Sequence, residues 1–273
     1  MAQNTDMIRA ASGSEATAGS SQRAEFEQPL TERLRTFLRL EFLYKQVCFH
    51  MDSDADYSSR AAIATLLDIK AILMRGDVRA DVLKELERQS QQLGQYRGQA
   101  GVDQGRLNRI LEQLSRSQRA LHDTGPHFLQ LLKESEFLSA IKHRSAIPGG
   151  TCEFDLPEYS FWLRQPFTTR QRDLERWLSD LKPLLDAVSE MLWLSRESAP
   201  ALDCIAKQGI YQYNVSRDTP CQLLRVSLLP EQRVYPEISG SQHRFTIRFM
   251  ESGASADRRA QTNEDVPFKL FVC

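Results

Sequence analysis

The hydrophobic period of this chain changes once, at Pro200, and that change limits the folds open to it. Between residues 168 and 198, Leu174, Trp177, Leu178, Leu181, Leu184, Leu185, Val188, Met191 and Leu192 recur every three or four positions. That is helical spacing, held for about six turns. After Pro200, the segments 209–213, 223–229, 234–238, 243–250 and 267–272 are short apolar or alternating runs divided by Gly, Pro, Asp and Ser. That is the pattern of strands and turns. The spacing predicts an α+β chain, with an N-terminal all-helical domain and a smaller C-terminal antiparallel β domain.

The rest of the helical part reads the same way. Residues 1–25 are rich in Ala, Ser, Gly, Gln and Thr without apolar periodicity, and are expected to form a disordered arm. The helical domain is expected over 26–199 and the β domain over 200–273, with 145–160 irregular because Pro148, Gly149 and Gly150 interrupt the pattern. Thr31 is placed to cap a first helix carrying Leu34, Phe37, Leu38 and Phe42. Ser58 or Ser59 can cap a second. Gly76 breaks that helix and Asp77 can cap a third, and Asp103 a fourth, so the helices on either side of Gly98 and Gly101 form an antiparallel hairpin. A shorter helix is expected near 127–143. Pro183 should bend the last long helix in its middle.

Composition excludes several classes. Lys plus Arg is 35 against 36 Asp plus Glu, a net charge of -1. A dedicated nucleic-acid binder carries a basic excess instead. The longest apolar runs, such as 71–74 and 192–194, are far too short to span a bilayer, and the first residues lack the apolar core of a secretory signal. A cytoplasmic location is expected. Five widely spaced cysteines, Cys48, Cys152, Cys204, Cys221 and Cys273, form no CxxC pair. Isolated thiols are expected, with no metal and no cofactor.

The catalytic patterns are each incomplete, so no enzyme is expected. No phosphate-cradling glycine loop, HExxH or GxSxG occurs. Asp52, Asp54 and Asp56 have the opening spacing of a calcium loop, but Tyr57 stands where the turn needs Gly and Ile63 where the ion needs Glu. They read as a solvated acidic loop. Asp123-Thr124-Gly125 matches the aspartic-protease triplet, but sits between helical stripes with Pro126 beside it, as a helix-ending turn would. His122 and His127 flank that turn at a spacing that suits neither one helical face nor a zinc site.

The informative feature is basic. In 243–250, alternation sends Phe245, Ile247 and Phe249 to one face and Arg244, Thr246, Arg248 and Met250 to the other. Arg244 and Arg248 then lie about 13 Å apart on an open face. Arg225, in the LLRVSLL run, could join them from a neighbouring strand. Planar arginine forks suit carboxylates, although an ordinary solvated strand face has the same spacing.

Six segments carry a family resemblance in a constant order: 26–43, 75–89, 101–107, 145–157, 198–202 and 235–250. Together they make the chain similar to the ZapD family of FtsZ-associated cell-division proteins. The resemblance implies a cytoplasmic homodimer with a helical and a β domain, acting at the mid-cell division site. It implies binding of the flexible, acidic and apolar C-terminal tail of FtsZ, and bundling of FtsZ protofilaments to support the Z-ring. It places the tail-binding arginines on Arg75, Arg244 and Arg248. It puts a bundling surface at Arg39 and near His127, where this chain replaces an arginine. A division-associated scaffold, or a nucleic-acid binder using the same arginine face, is the alternative. Neither membrane nor nucleic acid is expected as a partner.

Overall fold

A computed structural model describes residues 23–125, 128–215, 221–251 and 260–273. The described residues form two compact units, one from Pro29–Ala199 and the other from 23–28 together with Pro200–Val272. It is α+β, helical in the first part and antiparallel β in the last.

The helical unit contains α1 (Glu32–Met51), α2 (Asp56–Leu73), α3 (Val78–Gly94), α4 (Gln104–Asp123), α5 (Gln130–Glu134), α6 (Glu136–Ser145), α7 (Pro157–Leu163), α8 (Phe167–Ser179) and α9 (Lys182–Ser198). Three expected caps are in place. Thr31, Asp77 and Asp103 accept from the backbone amides of Leu34, Ala80 and Arg106, at 3.1, 3.0 and 3.0 Å. The α3–α4 hairpin is closed at its open end by Arg79, whose guanidinium donates to the carbonyls of His122 and Gly125 at the C-terminus of α4. That cation sits at the negative end of the helix dipole. Asp123 is therefore a helical residue in a terminating turn, outside any β context.

Helix α9 is the centre of this unit and packs on α1, α3 and α4. Leu184, Leu185, Ala187, Val188, Met191, Leu192 and Leu194 are all buried, so the helix is covered on most sides. Three of its charged side chains find a partner across a helix interface. Arg196 grips Glu41 of α1 with two parallel bonds of 2.7 and 2.8 Å. Asp186 accepts from the Tyr44 hydroxyl at 2.7 Å, and Glu190 from the Ser117 hydroxyl at 2.6 Å. Burial alone would raise the Glu41 pKa, but Arg196 and Lys45 outweigh it and hold the carboxyl below its usual range. Asp186 and Glu190 accept from neutral hydroxyls, and burial pushes both upward against the weaker opposing pull of those hydrogen bonds and of Lys182 and Arg116.

Four local expectations are corrected. The helix expected over 168–198 is two helices, α8 and α9, because Pro183 lies in the first turn of α9, where its missing N–H is not needed. The helix expected over 127–143 is also divided, with Ser135 capping α6. Helix α2 starts at Asp56, before Ser58 and Ser59, and Ser59 is buried inside it. The acidic loop is not merely solvated. Arg170 of α8, itself buried, reaches Asp54 at 2.9 Å, Asp56 at 3.5 Å and the Ser59 hydroxyl at 2.6 Å. A guanidinium holds the position that a calcium ion would need.

The β unit contains β1 (Ala24–Pro29), β2 (Leu202–Ala206), β3 (Ile210–Asn214), β4 (Leu223–Leu228), β5 (Val234–Ser241), β6 (Arg244–Glu251) and β7 (Val266–Val272). One sheet has the order β1-β4-β7-β2 and the other β3-β6-β5. The sheets meet through rings. Phe268 of β7 packs on Tyr211 of β3 and Phe249 of β6 at 5.2 and 5.0 Å between centroids, and within the second sheet Tyr213 stacks on Phe245 at 5.4 Å. Strands β1 and β2 were not anticipated. Residues 24 and 25 of the expected arm, with 26–29 of the expected helical domain, instead form an edge strand of the β unit. They carry Glu25 and Glu27, the acids that face Arg225. Residues 1–22 of the arm lie outside the described residues.

Candidate functional site

The face expected on β6 is present. Phe245, Ile247 and Phe249 are buried at 1%, 0% and 0% exposure, while Arg244 and Arg248 are exposed. The reason is the strand's period of two, combined with a ring-filled space between the sheets on one side only. Strand β6 is central in its sheet, so both arginines have a neighbour on each side. Arg244 lies opposite Asn214 of β3 and Ser241 of β5. Arg248 lies opposite Ile210 of β3 and Glu237 of β5. Among the described residues, neither guanidinium has a hydrogen-bond or ion-pair partner. The two are therefore exposed donors, unpaired among the described residues, on a strand whose backbone is held by pairing on both sides.

Arg225 does not join them. Its strand, β4, pairs with β7 in the other sheet, where Arg225 lies opposite Phe271. It rests 4.7 Å over that ring and reaches Glu25 and Glu27 at 3.6 and 3.5 Å. This arginine is occupied in tying β1 to the sheet.

Arg75 belongs to the helical unit. It follows the C-terminus of α2, where its backbone amide donates to the Ile72 carbonyl, and its side chain is exposed before Gly76. Arg39 projects from the exposed side of α1, one turn before Phe42, an aromatic ring that is 65% exposed. His127 lies outside the described residues. His122 is exposed in the last turn of α4, in a groove of about 650 Å³ between α3 and α4 that also takes in Lys84, Glu87 and Arg119.

Residues that sequence reasoning passed over are Asn214, Ile210, Ser241 and Glu237. Alternation in IYQYN could have put Ile210, Gln212 and Asn214 on one side. Which arginine each would face depends on register, which a single strand's pattern does not carry. Among the described residues no group of His, Cys, Asp and Glu could hold a metal ion, and no helix is long and apolar enough to cross a membrane. All five cysteines are free thiols.

The family model for ZapD, described as a cell division protein, matches residues 38–248 of this chain. The chain belongs to the ZapD family. The match spans both units and ends on Arg248. Two curated relatives, each named cell division protein ZapD, agree over nearly their whole length. The protein of Methylococcus capsulatus is 38% identical over 248 residues, covering 91% of this chain and 97% of its own. That of Chromobacterium violaceum is 37% identical over 248 residues, covering 91% and 98%. This chain is thus a member of a cell-division protein family, and its exposed arginine face belongs to its β unit.

Proposed function

We propose that this chain is a non-enzymatic division adaptor that binds the C-terminal tail of FtsZ and, as a homodimer, crosslinks and bundles FtsZ protofilaments to support Z-ring assembly. Its place of work on this reading is the cytoplasm at mid-cell. Arg244 and Arg248 take the tail's acidic groups. Arg75 enters through the family resemblance alone, as do Arg39 and His127 for the bundling surface. Membrane, nucleic acid and cofactor have no part in it.

The observation that carries the reading is the pair of exposed guanidinium groups on β6, without a partner among the described residues and backed by the buried Phe245, Ile247 and Phe249. A guanidinium meeting a carboxylate at an exposed face contributes about 1 kcal/mol or less, and salt weakens it. One such face binds a tail weakly. Two faces joined in a dimer raise the effective concentration of the second tail, so crosslinking follows without strong single contacts.

Co-sedimentation with polymerised FtsZ tests this. The wild-type chain is expected to pellet with full-length FtsZ and not with tail-deleted FtsZ. Arg248→Glu is expected to abolish pelleting and leave the dimer intact by light scattering. Undiminished pelleting of that variant would remove this face from the function.

A further inference from the structure

Helix α7 has two unlike faces. One carries Tyr159 and Trp162, both buried, which pack on Phe137 of α6 at 5.9 and 5.7 Å between centroids, and the Trp162 indole donates to Asp173 of α8 at 3.0 Å. The other carries Phe161, a ring that is 68% exposed. The loop before the helix carries a second bare ring, Phe154, at 84%. This loop is held in place. The amides of Gly150, Cys152 and Leu156 donate to the carbonyls of Ile147, Gly149 and Cys152, and Arg60 of α2 donates to the Thr151 carbonyl at 2.9 Å. Glu153 then meets Arg164, just past the last turn of α7, at 3.1 Å. That ion pair ties the residue before one ring to the residue one turn after the other. Both rings therefore share one surface of the helical unit, each with a charge beside it, and the two charges are opposite. Large rings held in water by an anchored segment mark an interaction surface.

We propose that this surface docks a second copy of the chain across a two-fold axis, with Phe154 of each protomer against Phe161 of the other. The inference rests on the homodimer of the proposed function and gives that homodimer its contact. A two-fold interface makes every contact twice, residue i on j and j on i, so its surface must match itself. This one does. Setting Phe154 on Phe161 of the other protomer also sets Glu153 beside Arg164 of the other protomer, and the reverse. A surface of one sign would repel its own copy instead. The Glu153–Arg164 pair has side chains 70% and 68% exposed, so it is held weakly within one chain and is shared with a second copy at little cost. The two rings withdraw on the order of 300 Å² per protomer from water. That is the apolar centre of an interface whose full size is about 800 Å² per partner, the remainder being a polar rim.

The test is sedimentation velocity of the full chain over a dilution series. The wild type is expected to be a dimer that dissociates on dilution. Phe154→Ser and Phe161→Ser should each raise the dissociation constant about thirtyfold, because a two-fold interface carries each substitution twice. Both rings are more than half exposed, so circular dichroism should show wild-type folding in each variant. Glu153→Arg and Arg164→Glu should each weaken self-association about tenfold, since like charges then meet across the axis. An equimolar mixture of those two variants should form a heterodimer within about threefold of wild-type affinity, a rescue that no effect inside one chain can supply. Ring variants that dimerise as tightly as wild type, or a mixture no tighter than its components, put the contact elsewhere and overturn the inference while the division reading stands. Ring variants that stay dimeric yet no longer pellet with FtsZ assign the rings to the filament, and overturn it too. A wild-type chain that is monomeric at every concentration removes the homodimer of the proposed function and this inference with it.

Discussion

Replacing Arg170 should unlock the acidic loop between α1 and α2. The Arg170 side chain is 5% exposed and makes four polar contacts, to Asp54, Asp56, the Ser59 hydroxyl and the Gln165 carbonyl, besides lying 5.9 Å over the Phe167 ring. The two aspartates are 68% and 62% exposed, so they return to water cheaply and their ion pairs count for about 1 kcal/mol together. Ser59 is 1% exposed and has no such escape, so loss of its bond costs about 1 kcal/mol. The buried methylene stem adds about 2 kcal/mol. Arg170→Ala is expected to lose about 4 kcal/mol, and Arg170→Met, which keeps an apolar stem, about 2 kcal/mol. Urea unfolding followed by circular dichroism at 222 nm reads the helical unit and gives both values. A loss below about 1 kcal/mol in Arg170→Ala would show that the loop is held by other means. Calcium should leave the wild-type midpoint where it is. A midpoint that rises with calcium would restore the metal reading of Asp52, Asp54 and Asp56.

Glu190 titrates above its ordinary value in the folded chain, so the folded state favours its protonated form and stability falls as pH rises from the unfolded value through the folded one. Glu190→Gln keeps an acceptor for Ser117, and should raise the urea midpoint at neutral pH and lose that advantage as the pH is lowered toward 4; an advantage independent of pH would contradict this. Gly209 joins β2 to β3 with φ of 72°, and a Cβ there would run into the Thr262 carbonyl. Gly209→Ala should reduce hydrogen-exchange protection of β3 and β6 by about 2 kcal/mol and leave α9 unchanged.

What the sequence made legible was whatever one segment carries by itself. The alternation of 243–250 separates the buried phenylalanines from the open arginines without reference to any other strand. Asp77 and Asp103 announce their helices because an N-cap bonds only to amides two or three residues on. Position within an element is harder to read than its presence. Pro183 has the same spacing whether it bends one helix or opens a new one. Pairing is harder still. Arg225 has the composition of a face-mate for Arg248, yet its strand lies in the other sheet, chosen by contacts with residues that are remote in sequence. Glu237 faces Arg248 only through the β5–β6 register, which no pattern within 234–241 declares.

Strand β1 is made first and pairs with β4, nearly two hundred residues later in the chain. During synthesis the entire helical unit leaves the ribosome between the two. For that interval β1 has no sheet to join, and its acids Glu25 and Glu27 wait for an arginine that has not yet been translated. The β unit therefore cannot close until β4 and β7 have been made, whereas the helices, whose contacts are more local, can assemble beforehand. A ribosome stalled near residue 200 would release a fragment with its helices formed and a single unpaired strand at its front. The arginine face is thus acquired after every helix described above, and only a chain translated through β6 can present it.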